Sequence, residues 1–247
     1  MADRPGAGAP SLWRLILIPS VITLAVTLLR LWGELKHWPA VLFNPAAGGA
    51  AAVVGITWLV PVLGVYFALK LARGTGDARA ARVIAVAVLA LVVVFAVNAA
   101  VAAIKGEQTS QAIIGVFAVS SVLGGLVGLA AWPALGRILL AYGFAARVPV
   151  ALLMLAAIRG DWGTHYDAPP PGFPAMRWLG RWFWTGLLPQ MTIWTAFTVI
   201  VGTLAGGLTL LVVEGRGGRR PARPAVPPVP RGAGLRTAAR PRAGRTG

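Results

Sequence analysis

The chain contains no cysteine. Disulfides and thiolate metal sites are therefore excluded, although this fixes no redox compartment. Charge is scarce as well: Asp, Glu, Lys and Arg supply 12% of the 247 residues, about half the usual share in soluble domains. So few charged groups cannot coat a water-exposed globule of this length. Acids are the rarest, seven against 23 basic residues. The motifs of nucleotide and nucleophile chemistry are missing too: there is no P-loop, no G-x-G-x-x-G, no G-x-S-x-G and no H-E-x-x-H. ATP-driven work by this chain alone and serine-hydrolase chemistry are not expected. Haem is not expected either, because the only two histidines, His37 and His165, lie outside the deep apolar runs. Ten-residue alternation is absent, which argues against a transmembrane barrel. No two-fold internal repeat of the kind many transporters carry is evident.

What the chain has instead is long apolar blocks, and its mean hydropathy is +0.74. No charge interrupts residues 51–69, 83–104, 112–136 or 182–213. About 20 apolar helical residues cross a hydrocarbon core, and backbone amides in lipid must bond within the protein. The sequence thus predicts an all-α, polytopic transmembrane helix bundle of about six spans. They fall at approximately 12–35, 51–72, 82–104, 112–132, 138–158 and 185–213, with Trp182–Trp184 in the interface before the last. A cytoplasmic lead-in, 1–11, precedes this 12–213 domain. The first apolar run continues to Glu34 with no small-residue cleavage site, so it is read as a retained helix.

The formal charge of +16 is mostly local. Residues 216–247 hold nine arginines and no acid, so the remainder carries only +7. A specific nucleic-acid partner is not expected. The 214–247 segment is Arg, Pro, Gly and Ala with little to bury, and is expected to be disordered. It has two readings: a polybasic segment drawn to anionic lipids, or an unselected extension. Lys70, Arg73, Arg79 and Arg82 make 70–82 the most basic short loop, which places it in the cytoplasm. Both termini of this multi-pass cell-membrane protein then lie inside, and 33–50, 105–111 and 159–181 outside. Trp32, Trp38, Trp162, Trp178, Trp182 and Trp184 all fall at that outer surface, where indoles favour the headgroup zone.

Polar residues gather in three places. On the first helix, Ser20, Thr23, Thr27, Arg30, Glu34 and His37 recur at alternating three- and four-residue spacing, which keeps them on one side. Such a stripe either walls a site open to the outside or forms a hydroxyl seam between helices, closed by an i,i+4 ion pair. In the loop 159–181, Asp161, His165 and Asp167 lie within seven residues, ahead of three prolines. That spacing matches no defined metal motif, so whether a metal binds there stays open, and a solvated loop is the plainer reading. Arg147 lies mid-span, where a charge costs about 2.5–3.5 kcal/mol on insertion scales. No acid shares its depth. Its expected partners are Asn98, Ser120, Ser121, Gln190, carbonyls freed near Pro149 or a bound anion; a shallower helix with a snorkelling side chain is the alternative.

These observations define a candidate polar pocket of Thr27, Arg30, Glu34, His37, Asn98, Arg147, Asp161, His165 and Asp167. The favoured reading is a protein that binds or passes a small solute, ion or proton through an outward-facing pocket. A non-catalytic subunit or assembly factor is the second. It would pack through small-residue faces such as Gly202–Gly206 and Gly124–Gly128, against other membrane proteins or a second copy. A membrane enzyme using the outer Glu/His/Asp cluster is the third, and no catalytic residue is assigned. No cofactor is expected, and the lipid bilayer is the one partner the composition requires.

Overall fold

The computed structural model describes residues 11–49, 52–71, 78–104 and 109–217. The lead-in up to residue 10, residues 218–247 of the tail, 72–77 of the basic loop and 105–108 of the next loop lie outside the described residues. Among those described, helices are the only regular elements. They are α1 (Leu12–Leu35), α2 (Leu59–Leu71), α3 (Ala80–Ala103), α4 (Ser110–Ala131) and α5 (Pro133–Gly160). The last run, α6, begins at Trp178–Arg181, passes through π-helical stretches at Trp182–Leu187 and Gln190–Trp194, and continues as Thr195–Gly217. Five of the six are long and apolar enough to cross a membrane, and α2 is shorter.

The outer faces of these helices are apolar and uncovered. Only 22% of the apolar window of α3 is buried, and Leu89, Val92 and Phe95 stand exposed along it. On α4, Val119, Leu123 and Leu126 do the same. Water would not tolerate that much contiguous hydrocarbon, whereas lipid is its matching solvent. The chain is a helical integral membrane protein.

Inside the bundle, α6 is the central post. It packs on α2, α3, α4 and α5, while α3 and α4 form a hairpin and α1 lies against α5. Small residues allow the close approach. A Cβ on Gly202 would fall 2.5 Å from Leu139 of α5, and one on Gly64 of α2 would fall 2.6 Å from the Gly202 carbonyl oxygen. On α4, a Cβ on Gly124 would sit 2.6 Å from Val94 of α3. Around these contacts Phe67, Leu135, Leu139 and Tyr142 are fully enclosed. At the far end Glu214 Oε1 accepts from the Ala80 amide, 3.3 Å, and so caps the start of α3 from α6.

The second span departs from expectation. A helix over 51–72 is predicted, but helix begins only at Leu59, and 52–58 is a run of bends and turns. Thirteen helical residues reach about 20 Å, short of the roughly 30 Å core. The sequence VVGIT explains the difference, since β-branched residues and glycine are poor helix formers. The amides of Val53 and Val54 instead donate to the carbonyls of Val41 and Leu42, both at 3.1 Å. Pro61 falls in the first turn of α2, where its missing N–H costs no helical bond. It is therefore not the kink of a longer helix.

The Gly64–Gly202 contact generates a test. Gly64→Ala should cost about 1–3 kcal/mol, because the added methyl meets backbone. Gly115→Ala, with open space around its Cβ, should be neutral or stabilising by roughly 0.5–1 kcal/mol. Thermal unfolding in detergent measures both; equal melting temperatures would contradict the close packing.

Candidate functional site

The polar stripe of α1 faces inward as far as the helix lasts. Thr23, Thr27, Arg30 and Glu34 are buried. The Thr23 hydroxyl bonds the Tyr142 hydroxyl of α5, 2.7 Å. The Thr27 carbonyl accepts from the Tyr166 hydroxyl, 3.1 Å. The lower part of the stripe is thus a seam against α5 and the 161–177 loop.

At its upper end the stripe becomes a charged cluster. Arg30 Nε donates to Glu34 Oε1 at 2.8 Å. The His165 amide donates to Glu34 Oε2 at 2.9 Å, and His165 Nδ1 lies 2.6 Å from Oε1. Arg30 also donates through Nη2 to the carbonyls of Asn44, 3.1 Å, and Gly49, 3.0 Å. One buried carboxylate therefore ties α1 to the loop after α5, and its arginine ties α1 to the segment before α2. Gly49 is required here: its φ is +62°, and a Cβ on it would collide with the Arg30 guanidinium and the His165 ring.

Burial holds the His165 pKa below the usual imidazole range; the hydrogen bond to Glu34 opposes this, and the nearby Arg30 charge reinforces it. His165 is then neutral at pH 7. With Glu34 ionised, Nδ1 carries the proton and Nε2 is left as an acceptor. Burial also pushes the Tyr166 hydroxyl above its ordinary range, so it remains a donor.

Below this cluster lies a cavity of about 760 Å³. Gly48, Ala168 and Pro170 line it at the loop end, and Arg147, Gln190 and Trp194 line it deep in the bundle. Arg147 is 13 residues from the end of α5, about 20 Å along the helix. The non-helical stretch supplies another wall through Ala52, Gly55, Ile56 and Thr57. The remaining wall comes from the π-helical part of α6. Pro189 has no N–H to offer Thr185, and widened turns surround it. The Thr195 hydroxyl satisfies the Gln190 carbonyl at 2.9 Å. These turns bring Thr185, Gln190 and Trp194 to the cavity side by side.

Arg147 is 4% exposed. Its guanidinium stacks over the Trp194 ring, 5.1 Å from the centroid. Among the described residues its Nε has no hydrogen-bond partner, and neither does Gln190 Oε1.

The predicted pocket residues thus divide. Thr27, Arg30, Arg147 and His165 line the cavity, and Glu34 stands immediately behind Arg30 and His165. His37 does not join them: α1 stops at Leu35, and His37 turns left-handed with φ 51° and is exposed. Its place on the stripe assumed two more helical residues. Asn98 bonds Ser120 Oγ at 3.0 Å between α3 and α4, away from the cavity, rather than Arg147. Asp161 ends α5 in the left-handed region and is exposed. Asp167 is buried, but its oxygens accept from the amides of Gly163 and Thr164 and from the Thr164 hydroxyl, 2.7–2.9 Å. It shapes the loop that presents His165. Among the described residues no three His, Asp or Glu side chains group as metal ligands. Gly49, Trp194, Tyr166 and the 52–58 wall were not foreseen; the double glycine at 48–49 is the one signal the sequence carries for them.

Compared with known families, curated proteins and solved structures, the chain matches none.

Two expectations follow. Glu34→Ala leaves the Arg30 charge buried without its carboxylate and should cost about 3–5 kcal/mol, read as a lower unfolding temperature in detergent; a loss under about 1 kcal/mol would sink the clamp. His165 takes up a proton later in the folded than in the unfolded chain. Stability should therefore be full above about pH 6.5 and fall as pH drops toward the lower folded value. Glu34, Arg30, Tyr166 and Asp167 surround the imidazole, so the comparison is with His165→Gln, which should flatten that slope.

Proposed function

We propose that this protein binds or passes a small solute, ion or proton through a pocket in the cell membrane, entered from the end where α1 and α5 finish and α6 begins. The observation that supports this is the cavity running from Arg30 and His165 at the loop end to Arg147 and Gln190 within the bundle. Its volume falls within the range of small-molecule sites, roughly 300–1,000 Å³. Its walls are a broken span and a π-distorted helix. Irregular backbone at membrane depth is tolerated where protein covers it or where it lines a watery cavity, and solute sites of transporters are often built from such segments. The basic 70–82 stretch supports a cytoplasmic location for the opposite end. The pocket then faces outward, with both termini inside.

The subunit reading draws less support. Gly202, Gly206, Gly124 and Gly128 already meet Leu139, Leu135, Val94 and Ile200 within the bundle, so those faces are not free for a partner. The enzyme reading also draws less support, since Asp161 is exposed and does not line the cavity and Asp167 is held by its own loop.

The absence of native cysteine makes the test direct. Thr57→Cys and Met154→Cys, both at the cavity, should react in intact cells with a membrane-impermeant thiol reagent. Leu123→Cys on the lipid face of α4 should not. An unreactive Met154→Cys, alongside a reactive Asp161→Cys at the exposed loop, would refute an outward pocket.

A further inference from the structure

Resting on that pocket, we infer that its ligand is an organic anion, a carboxylate on a compact apolar body, with Arg147 as the residue that holds the charge. The charge balance of the cavity leads there. Arg30 is neutralised by Glu34. His165 shares the same carboxylate. Asp167 is consumed by its own loop, Glu214 caps α3 at the far end, and Asp161 is exposed outside the cavity. Among the described residues no carboxylate remains for Arg147, which brings one uncompensated positive charge to the cavity wall.

The geometry of that charge selects the ligand further. Trp194 covers the guanidinium, while Nε is unpartnered. A guanidinium edge pairs with a planar carboxylate through parallel N–H···O bonds. Gln190 faces the same cavity with a weak contact from Nε2 to Met154 Sδ, 3.6 Å, and a free Oε1. Turning that amide over presents its NH₂ to the same anion. The apolar side chains lining the same cavity include Ile56, Trp58, Val150, Met154, Trp194 and Phe197. They suit an apolar body far better than a hydrated inorganic ion. A soluble organic acid and the carboxylate of a fatty acid share this chemistry.

The experiment uses the full chain in nanodiscs of zwitterionic lipid, with binding read by tryptophan fluorescence and by thermal shift. Benzoate, its neutral isostere benzamide, and oleate are the probes. Benzoate or oleate should bind, and benzamide should bind at least roughly 10-fold more weakly than benzoate. Arg147→Met should weaken the binding acid by roughly 10- to 100-fold while keeping the fold, and Arg147→Lys should recover part of it. Benzoate alone would identify a soluble acid, and oleate alone a lipid-borne one. Equal binding of benzoate and benzamide, no binding of either acid, or unchanged affinity in Arg147→Met would overturn the assignment. Thiol labelling at Met154→Cys reads water access separately. A reactive pocket that does not prefer the acid therefore removes the anion and leaves the pocket standing.

Discussion

The Glu34 carboxylate is the constraint on which the upper half of the molecule depends. It accepts from Arg30, from the His165 amide and from the His165 ring. Three segments distant in sequence meet there: the end of α1, the stretch around Gly49 and the loop after α5. None of them could hold its place alone. Residues 44–49 hold only the short turn Ala47–Gly49, 52–58 have no regular structure, and the 161–177 loop has none until α6 begins. A buried ion pair contributes little net stability compared with well-packed hydrocarbon, yet losing one partner is severe. Here its consequence is positional. It fixes two irregular segments over the mouth of a cavity that hydrophobic contacts alone would leave loosely defined.

The same cluster explains how a membrane protein tolerates so much non-helical backbone. Residues 52–58 occupy the depth where a full-length second span would be helical. Their amides need partners, and Val53 and Val54 find them on Val41 and Leu42. That pairing lasts only while 41–49 is held, which Arg30 does through the carbonyls of Asn44 and Gly49. On the opposite wall, Pro189 forces wider turns into α6, and threonine hydroxyls take up the carbonyls those turns expose. Both irregularities border the cavity, while α3 and α4, remote from it, are unbroken helices.

Much of the fold was legible because lipid imposes a simple rule on sequence. Twenty apolar residues without charge have few structural options, so α3, α4 and α5 lie close to their expected positions. The inward face of α1 was legible for a related reason, since Thr, Arg and Glu at helical spacing cannot face hydrocarbon. The approach of Glu34 to His165 was legible only as a shared membrane side, because sequence carries no distances. Three features were hidden. The second span looked like a helix because hydropathy does not distinguish a β-branched apolar turn from an apolar helix. The 3.6-residue period fails wherever a π-turn intervenes, so the stacking of Trp194 on Arg147 could not be read from spacing. His37 was misplaced because a two-residue difference in where a helix ends is below what spacing resolves.

Arg147 bears on what the proposed pocket would hold. Holding a positive charge mid-membrane costs about 2.5–3.5 kcal/mol on insertion scales. Stacking on an indole returns up to roughly 2 kcal/mol when the pair is desolvated. The shortfall of about a kcal/mol widens once the unpartnered Nε is added, because a buried charged donor left unsatisfied costs more than a neutral one. An entirely dry, empty cavity would therefore make Arg147 a net liability, and a methionine would fill the place at lower cost. Water in the cavity removes part of that liability, and an anion against the guanidinium removes nearly all of it. The arginine, the tryptophan that covers one face of it and the irregular segments that border the space around it are what the proposed anion would draw together.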